Sequence, residues 1–264
     1  MIVADGLKAL IFDMDDTLVV EKASAEAALL QTCELAKARH GVEPHDLLAS
    51  VRQTCRTLWH GSAVRTYCVE IGISSWEALW ARFEGDNENL QFLRQWAPTY
   101  RLESWRQALA RHSICDDELA AGLAETFPLH RRRLNVVYED ALPMLERLRP
   151  RYRLALLTNG APDLQREKLA GAGLAHWFDE VLVSGDIGFG KPNPRVYETM
   201  LTRLDVAPDE ALMIGNSLHS DIAGAQAAGI RAVWVNREAS VGDEAVSPDI
   251  EVPDLDRLAT LLSR

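Results

Sequence analysis

Five short apolar runs constrain this chain more than any other feature: Leu7–Phe12, Leu154–Leu157, Val181–Val183, Ala211–Ile214 and Ala232–Val235. None alternates apolar with polar residues, as a strand with one wet face would. Unbroken runs of this length fit strands covered on both faces. Helical patterns separate them. One lies near Asp163–Ala170, and another carries Val196, Tyr197, Met200, Leu201 and Leu204. A third covers Asp221–Ala228 and stops at Gly229. Repeated strand–helix units predict an α/β fold, a doubly wound parallel sheet of Rossmann-like form.

Residues 21–135 break this rhythm. Helical spacing dominates there, as in Ala27-Leu30-Cys33-Leu35 and Leu102-Trp105-Leu109, and five of the seven tryptophans fall in it (Trp59, Trp76, Trp80, Trp96, Trp105). We expect an all-helical domain inserted after the first strand, its tryptophans packed as core. The core is then 1–20 plus 136–264, joined to the insert near Val19–Lys22 and Asn135–Glu139.

Charge and composition narrow the partners. The chain of 264 residues has 28 Lys+Arg against 39 Asp+Glu, a net charge of −11. That balance argues against a nucleic-acid backbone or an anionic membrane, which need a positive footprint. The opening MIVADGLKALIFDMDDTL has no basic leader, and Asp13 cuts its apolar run, so neither a signal peptide nor a membrane span is expected. Cys33, Cys55, Cys68 and Cys115 form no CxxC pair. Reduced, mostly buried thiols and a cytoplasmic location are expected.

In an open parallel sheet, ligands bind beyond the carboxyl ends of the strands. The residues there are Asp13, Asp15, Asp16 and Thr17 after the first strand; Thr158, Asn159 and Gly160 after the second; Lys191 after the third; and Gly215, Asn216, Ser217 and Asp221 after the fourth. Carboxylates, hydroxyls, an amide and a lysine suit a phosphoryl group with Mg²⁺. Asp13 is placed to attack phosphorus. Asp15 is placed to protonate the leaving oxygen and then activate water. Thr158 and Asn159 are expected to bind phosphate, with Lys191 supplying a fixed positive charge. Mg²⁺ takes oxygen ligands and offsets anion–anion repulsion.

Asp13-Met-Asp15-Asp16-Thr17, Leu-Thr158-Asn159-Gly160, Gly190-Lys191-Pro192 and Ile-Gly215-Asn216-Ser217 with Asp221 resemble, in order, the four motifs of the haloacid dehalogenase-like (HAD) hydrolase superfamily. The helical insert resembles the cap of its capped phosphatase members. TNGAPDLQREKL and WFDEVLVSGDIGFGKPNPRVY are similar to N-acylneuraminate-9-phosphatases and to a group of nucleotide phosphatases. The resemblance implies a Mg²⁺-dependent phosphatase that hydrolyses a small phosphorylated metabolite through an aspartyl-phosphate. It implies Asp13, Asp15, Asn216 and Asp221 as the metal set, with Asp15 acting through its backbone carbonyl. Many members carry Asp at the position of Asn216. A haloacid dehalogenase, a phosphomutase and a catalytically impaired binding protein are the alternatives.

Gly185-Asp-Ile-Gly-Phe-Gly190-Lys191 fits a nucleotide-binding P-loop in spacing, but Pro192 lacks the hydroxyl and the N–H such a loop needs. Arg131-Arg132-Arg133 reads as a solvated run. Asp16 is expected to fix its turn, and His219 to lie on a surface loop.

Overall fold

The computed structural model describes residues 6–242 and 245–263. Residues 1–5, the start of the segment expected to carry no leader, lie outside it. The described residues form two compact units: one from 6–20, 136–159 and 172–263, the other from 21–135 and 160–171.

The first unit is built on six parallel strands: β1 (Ala9–Phe12), β2 (Arg153–Thr158), β3 (Glu180–Val183), β4 (Ala211–Gly215), β5 (Arg231–Val235) and β6 (Ile250–Val252). They lie in the order β3-β2-β1-β4-β5-β6. Ala9 pairs with Arg153 on one side and Ala211 on the other. The order reverses around β1, which places the crevice for a ligand beside its carboxyl end. The five apolar runs are the first five strands, and all four β1 residues are fully buried. Ala9 and Ile11 pack with Val196, Tyr197, Met200 and Leu204 of the helix Pro194–Leu204. The alternate residues Leu10 and Phe12 serve the other face.

Three details differ from expectation. β6 carries no apolar run of its own, since it has three residues with Glu251 between its two apolar ones. The segment after β3 opens with one helical turn, Ser184–Ile187, closed by Gly188 at φ 81°. The helix expected at Asp221–Ala228 begins earlier, as a π-helical turn over Leu218–Ala223, and only then becomes α-helical at Gly224–Ala227.

The second unit has no strand among its described residues. It comprises α1 (Glu21–His40), α2 (Pro44–His60), α3 (Arg65–Ile71), α4 (Glu88–Ala110), α5 (Asp117–Arg132) and Pro162–Gly171, the helix that follows β2. Ala161 and Leu164 of that last segment join a core with Leu29, Val51, Trp105 and Phe127. Trp59, Trp80 and Trp105 are buried, and Trp96 stacks on Tyr100 at 4.5 Å, so the tryptophans do serve as packing. Cys33, Cys55 and Cys68 are buried free thiols, while Cys115 is exposed.

Of the arginine run only Arg133 is exposed; Arg131 and Arg132 are not solvated. Arg131 is 2% exposed. It pairs with Glu21, donates to the Leu134 carbonyl at 2.7 Å and lies over the Trp80 ring. Arg132 bonds Glu167 at 2.6 Å and the Trp80 carbonyl at 2.9 Å. A buried guanidinium survives only with such partners, and Glu21, Trp80 and Glu167 are remote in sequence. No helix among the described residues is long and apolar enough to cross a membrane.

Candidate active site

The site lies in the first unit, at the carboxyl ends of β1, β2 and β4. Asp13 follows β1 directly, and its N–H donates to the Ile214 carbonyl at 2.9 Å, which extends the β1–β4 ladder by one rung. The chain then turns sharply. The Met14 carbonyl accepts from the N–H groups of Thr17, Leu18 and Val19, and the Asp16 N–H donates to the Val19 carbonyl at 2.7 Å. Asp16 takes φ 57°, a left-handed conformation that Asp tolerates better than most residues. It therefore shapes the turn, as expected. Asp15 is half-buried, and its backbone bridges to Val19.

Asp13 is 7% exposed and held at both oxygens. Lys191 Nζ donates to Oδ1 at 2.6 Å, and the Thr17 hydroxyl donates to Oδ2 at 3.0 Å. The same ammonium donates to Asp221 Oδ1 at 2.7 Å. Asp221 Oδ2 accepts the Ser217 N–H at 2.9 Å. Lys191 thus sits between two carboxylates.

Burial pushes the Asp13 carboxyl up to about 7. Lys191 opposes the rise, while Asp221 and Asp15 add to it. Burial alone would lower Lys191, but its two carboxylates outweigh that and raise it, so the ammonium stays charged. Asp13 and Asp221 share one ammonium and Asp15 adds its charge to that of Asp13, which leaves an excess of negative charge around Asp13.

The Asn159 side chain turns to the Lys191 backbone. Its Oδ1 accepts the Lys191 N–H at 2.8 Å and its Nδ2 donates to the Lys191 carbonyl at 2.8 Å. The amide clasps the lysine backbone and so aims the ammonium; it is a positioning residue. Gly190 permits this, since a Cβ there would stand 2.6 Å from Asn159 Oδ1. Thr158 ends β2 and is buried beside it. Lys191 joins Pro192 through a cis peptide bond.

Asn216 follows β4. Its carbonyl is fixed by the Trp234 indole N–H at 2.9 Å, and its Oδ1 lies 3.4 Å from the Thr17 hydroxyl. One hydroxyl has one hydrogen, so Asp13 Oδ2 and Asn216 Oδ1 share a single donor. Thr17 and Ser217 are the functional residues that sequence reasoning left without a role. Their place in the DxDxT and GNS strings was the available signal. His219 is exposed on the π-helical turn, as expected.

The geometry brings Asp13, Lys191, Asn159 and Asp221 into one bonded network, with Thr17 tying Asn216 to it. The haloacid dehalogenase-like hydrolase model matches residues 7–229, which include every residue of this network. The chain belongs to that family. A phosphoserine phosphatase of Thermus thermophilus is 41% identical over 249 residues, covering 94% of this chain and 96% of the relative. A mouse N-acylneuraminate-9-phosphatase is 26% identical over 89% of this chain and 85% of its own. The HAD hydrolase YfnB of Bacillus subtilis, solved bound to magnesium, superposes with a TM-score of 0.69 over 98% of this chain and 99% of its own, at 22% identity. It confirms the fold. This family member is a hydrolase of the phosphatase type.

The donor set suits a hard cation. The Asp13 and Asp221 carboxylates, the Asn216 carboxamide and the Asp15 backbone carbonyl all offer oxygen, which such a cation would take. Among the described residues no group of three or more His, Cys, Asp or Glu stands ready for a metal. A set with one carboxamide and one backbone carbonyl would not form such a group. The excess negative charge around Asp13 and the single hydroxyl shared by two oxygens are what a divalent cation would relieve.

Proposed function

We propose that this hydrolase is a Mg²⁺-dependent phosphatase of small phosphomonoesters, with Asp13 as nucleophile. The observation that carries the reading is the Asp13 carboxylate, fixed at the end of a buried strand and ion-paired to Lys191 at 2.6 Å. An Asp13 oxygen attacks phosphorus, and the bond from phosphorus to the ester oxygen breaks. Asp15 gives its proton to that oxygen, and the alcohol leaves. Water then attacks the aspartyl-phosphate, giving its proton back to Asp15, and inorganic phosphate leaves with Asp13 restored. Lys191 stabilises the charge that spreads over the phosphoryl oxygens, with Thr158 contributing its hydroxyl. Mg²⁺ bound by Asp13, the Asp15 carbonyl, Asn216 and Asp221 would neutralise the phosphoryl charge against which an anionic nucleophile must move.

A haloacid dehalogenase has no use for Asp15, because halide leaves without a proton. The identity with the Thermus enzyme makes L-phosphoserine the first substrate to try. The test is hydrolysis of L-phosphoserine, a sialic acid 9-phosphate, nucleoside monophosphates and p-nitrophenyl phosphate, with Mg²⁺ and with EDTA. Phosphate release that needs Mg²⁺ and vanishes in Asp13→Asn supports the proposal. Turnover that survives in Asp13→Asn overturns it.

A further inference from the structure

The turn that presents Asp221 carries a defect and a repair. Over Leu218–Ala223 the helix is π-wound, and the Ser217 carbonyl accepts from both Asp221 at 2.9 Å and Ile222 at 3.2 Å. At the return to α-winding, the Gly224 N–H donates to the Asp221 carbonyl, three residues back. In an α-helix that N–H would serve the Ser220 carbonyl. The Tyr197 hydroxyl donates to the Ser220 carbonyl in its place and lies 3.5 Å from the Asp221 carbonyl. π-Turns are rare and recur at functional sites.

The same point is a steric junction. A Cβ on Gly224 would stand 2.7 Å from the Tyr197 hydroxyl oxygen and 2.8 Å from the Cα of Pro192. Only glycine lets the turn bearing Asp221 close against both the tyrosine and the backbone next to Lys191. Tyr197 is fully buried on its helix, among Val196, Met200 and Ile222. It has no reach to the phosphoryl position through any described bond. Its phenol is held well above its ordinary range by burial, with Asp221 and Asp13 adding to the rise, so it remains a neutral donor.

We infer that Tyr197 is a positioning residue for the phosphatase reaction proposed above, acting through the Ser220 carbonyl to hold Asp221 where it shares Lys191 with Asp13. Two ties join the same two loops: the ion pair of Lys191 with Asp221, and the contact of Pro192, Gly224 and Tyr197. Without the second, Asp221 is free to follow the ammonium or release it, and Lys191 loses its fixed place beside Asp13.

The test is Tyr197→Phe, which deletes one oxygen and keeps the ring in the core. With p-nitrophenyl phosphate and Mg²⁺, kcat should fall about tenfold while KM stays within about twofold, an energy of ~1.4 kcal/mol. In an Asp221→Asn background the same substitution should cost less than about twofold, since a residue that acts through Asp221 has nothing left to position. Gly224→Ala, which displaces the hydroxyl rather than deleting it, should lower kcat in the same way. A Tyr197→Phe enzyme with wild-type kcat, or an equal loss in both backgrounds, overturns the inference whatever happens to its melting temperature. Failure of the wild-type enzyme itself to hydrolyse any phosphomonoester overturns the proposed function first, and this inference with it.

Discussion

Asp13→Asn should make the metal-free protein more stable while removing its activity. Asp13 has an ordinary carboxyl value of 3.8, and in the fold it is pushed up to about 7. The fold therefore favours its protonated form. Its contribution is fully present below about 3.8 and is lost as pH rises toward about 7. Each unit of that interval corresponds to ~1.4 kcal/mol, so an ionised Asp13 burdens the fold by up to about 4 kcal/mol at pH 8. Asparagine has the shape of the protonated acid and no charge to lose. With some relaxation of Lys191 toward Asp221, we expect a gain of about 2–4 kcal/mol at pH 8 and almost none at pH 4. That gain corresponds to roughly 5–15 °C in melting temperature for a chain of this size. Thermal unfolding followed by circular dichroism at both pH values, in EDTA, measures it. A variant no more stable than wild type at pH 8, or equally stabilised at both pH values, would refute the reasoning. Mg²⁺ should narrow the difference at pH 8 by stabilising wild type more than the variant.

Asp15→Asn should slow the first step most with alkyl phosphates and least with p-nitrophenyl phosphate, whose leaving group needs little protonation. Equal losses in single-turnover phosphorylation would argue against an acid role. Asn216→Asp adds a negative charge to the oxygen set and should lower the Mg²⁺ concentration for half-maximal activity about tenfold, or ~1.4 kcal/mol. An unchanged midpoint would remove Asn216 from the metal set. Gly215→Ala should lower kcat at least about tenfold, because its Cβ would overlap the Asp221 carboxylate; retained kcat would show that Asp221 is free to move. Arg131→Met should cost the protein about 3 kcal/mol in urea unfolding, since it removes a partner of the carboxylate of Glu21 and the cation over Trp80. A change below about 1 kcal/mol would mean that Lys168, 3.3 Å from Glu21, suffices alone.

What was legible in the sequence was what local pattern encodes. Ala9–Phe12 and Ala211–Gly215 could be read because strands covered on both faces need unbroken apolar runs. The site could be read because the end of each such strand is a fixed place, so Asp13, Thr158 and Asn216 had to gather on one edge. What was not legible depends on partners distant in the chain. Asn159 and Lys191 are far apart in sequence, and nothing in either neighbourhood says that a side-chain amide will clasp a lysine backbone. The π-turn before Gly224 lies against Tyr197 and Pro192, which come from another stretch of the chain. Arg131 reads as solvated from the charges of its own run, because Glu21 and Trp80, which pair with it, lie far away in the chain.

The Val20 N–H donates to the Val136 carbonyl at 2.8 Å, and the Tyr138 N–H donates to the Leu18 carbonyl at 3.0 Å, with Val19 and Val137 bridged between them. The chain leaves the sheet unit and returns to it through this antiparallel clasp. To the sheet unit, everything from Glu21 to Asn135 is one hairpin loop whose ends are already joined. Lengthening a closed loop costs little, only ~0.6 kcal/mol for each doubling. Such a socket accepts cargo of almost any size, so a lineage could exchange one insert for another without rebuilding the catalytic edge. The exchange has one string attached. Ala161 and Leu164, encoded beyond the socket, are part of the insert's own core. A transplanted insert must therefore bring a surface that fits them, or those two residues must be recoded with it.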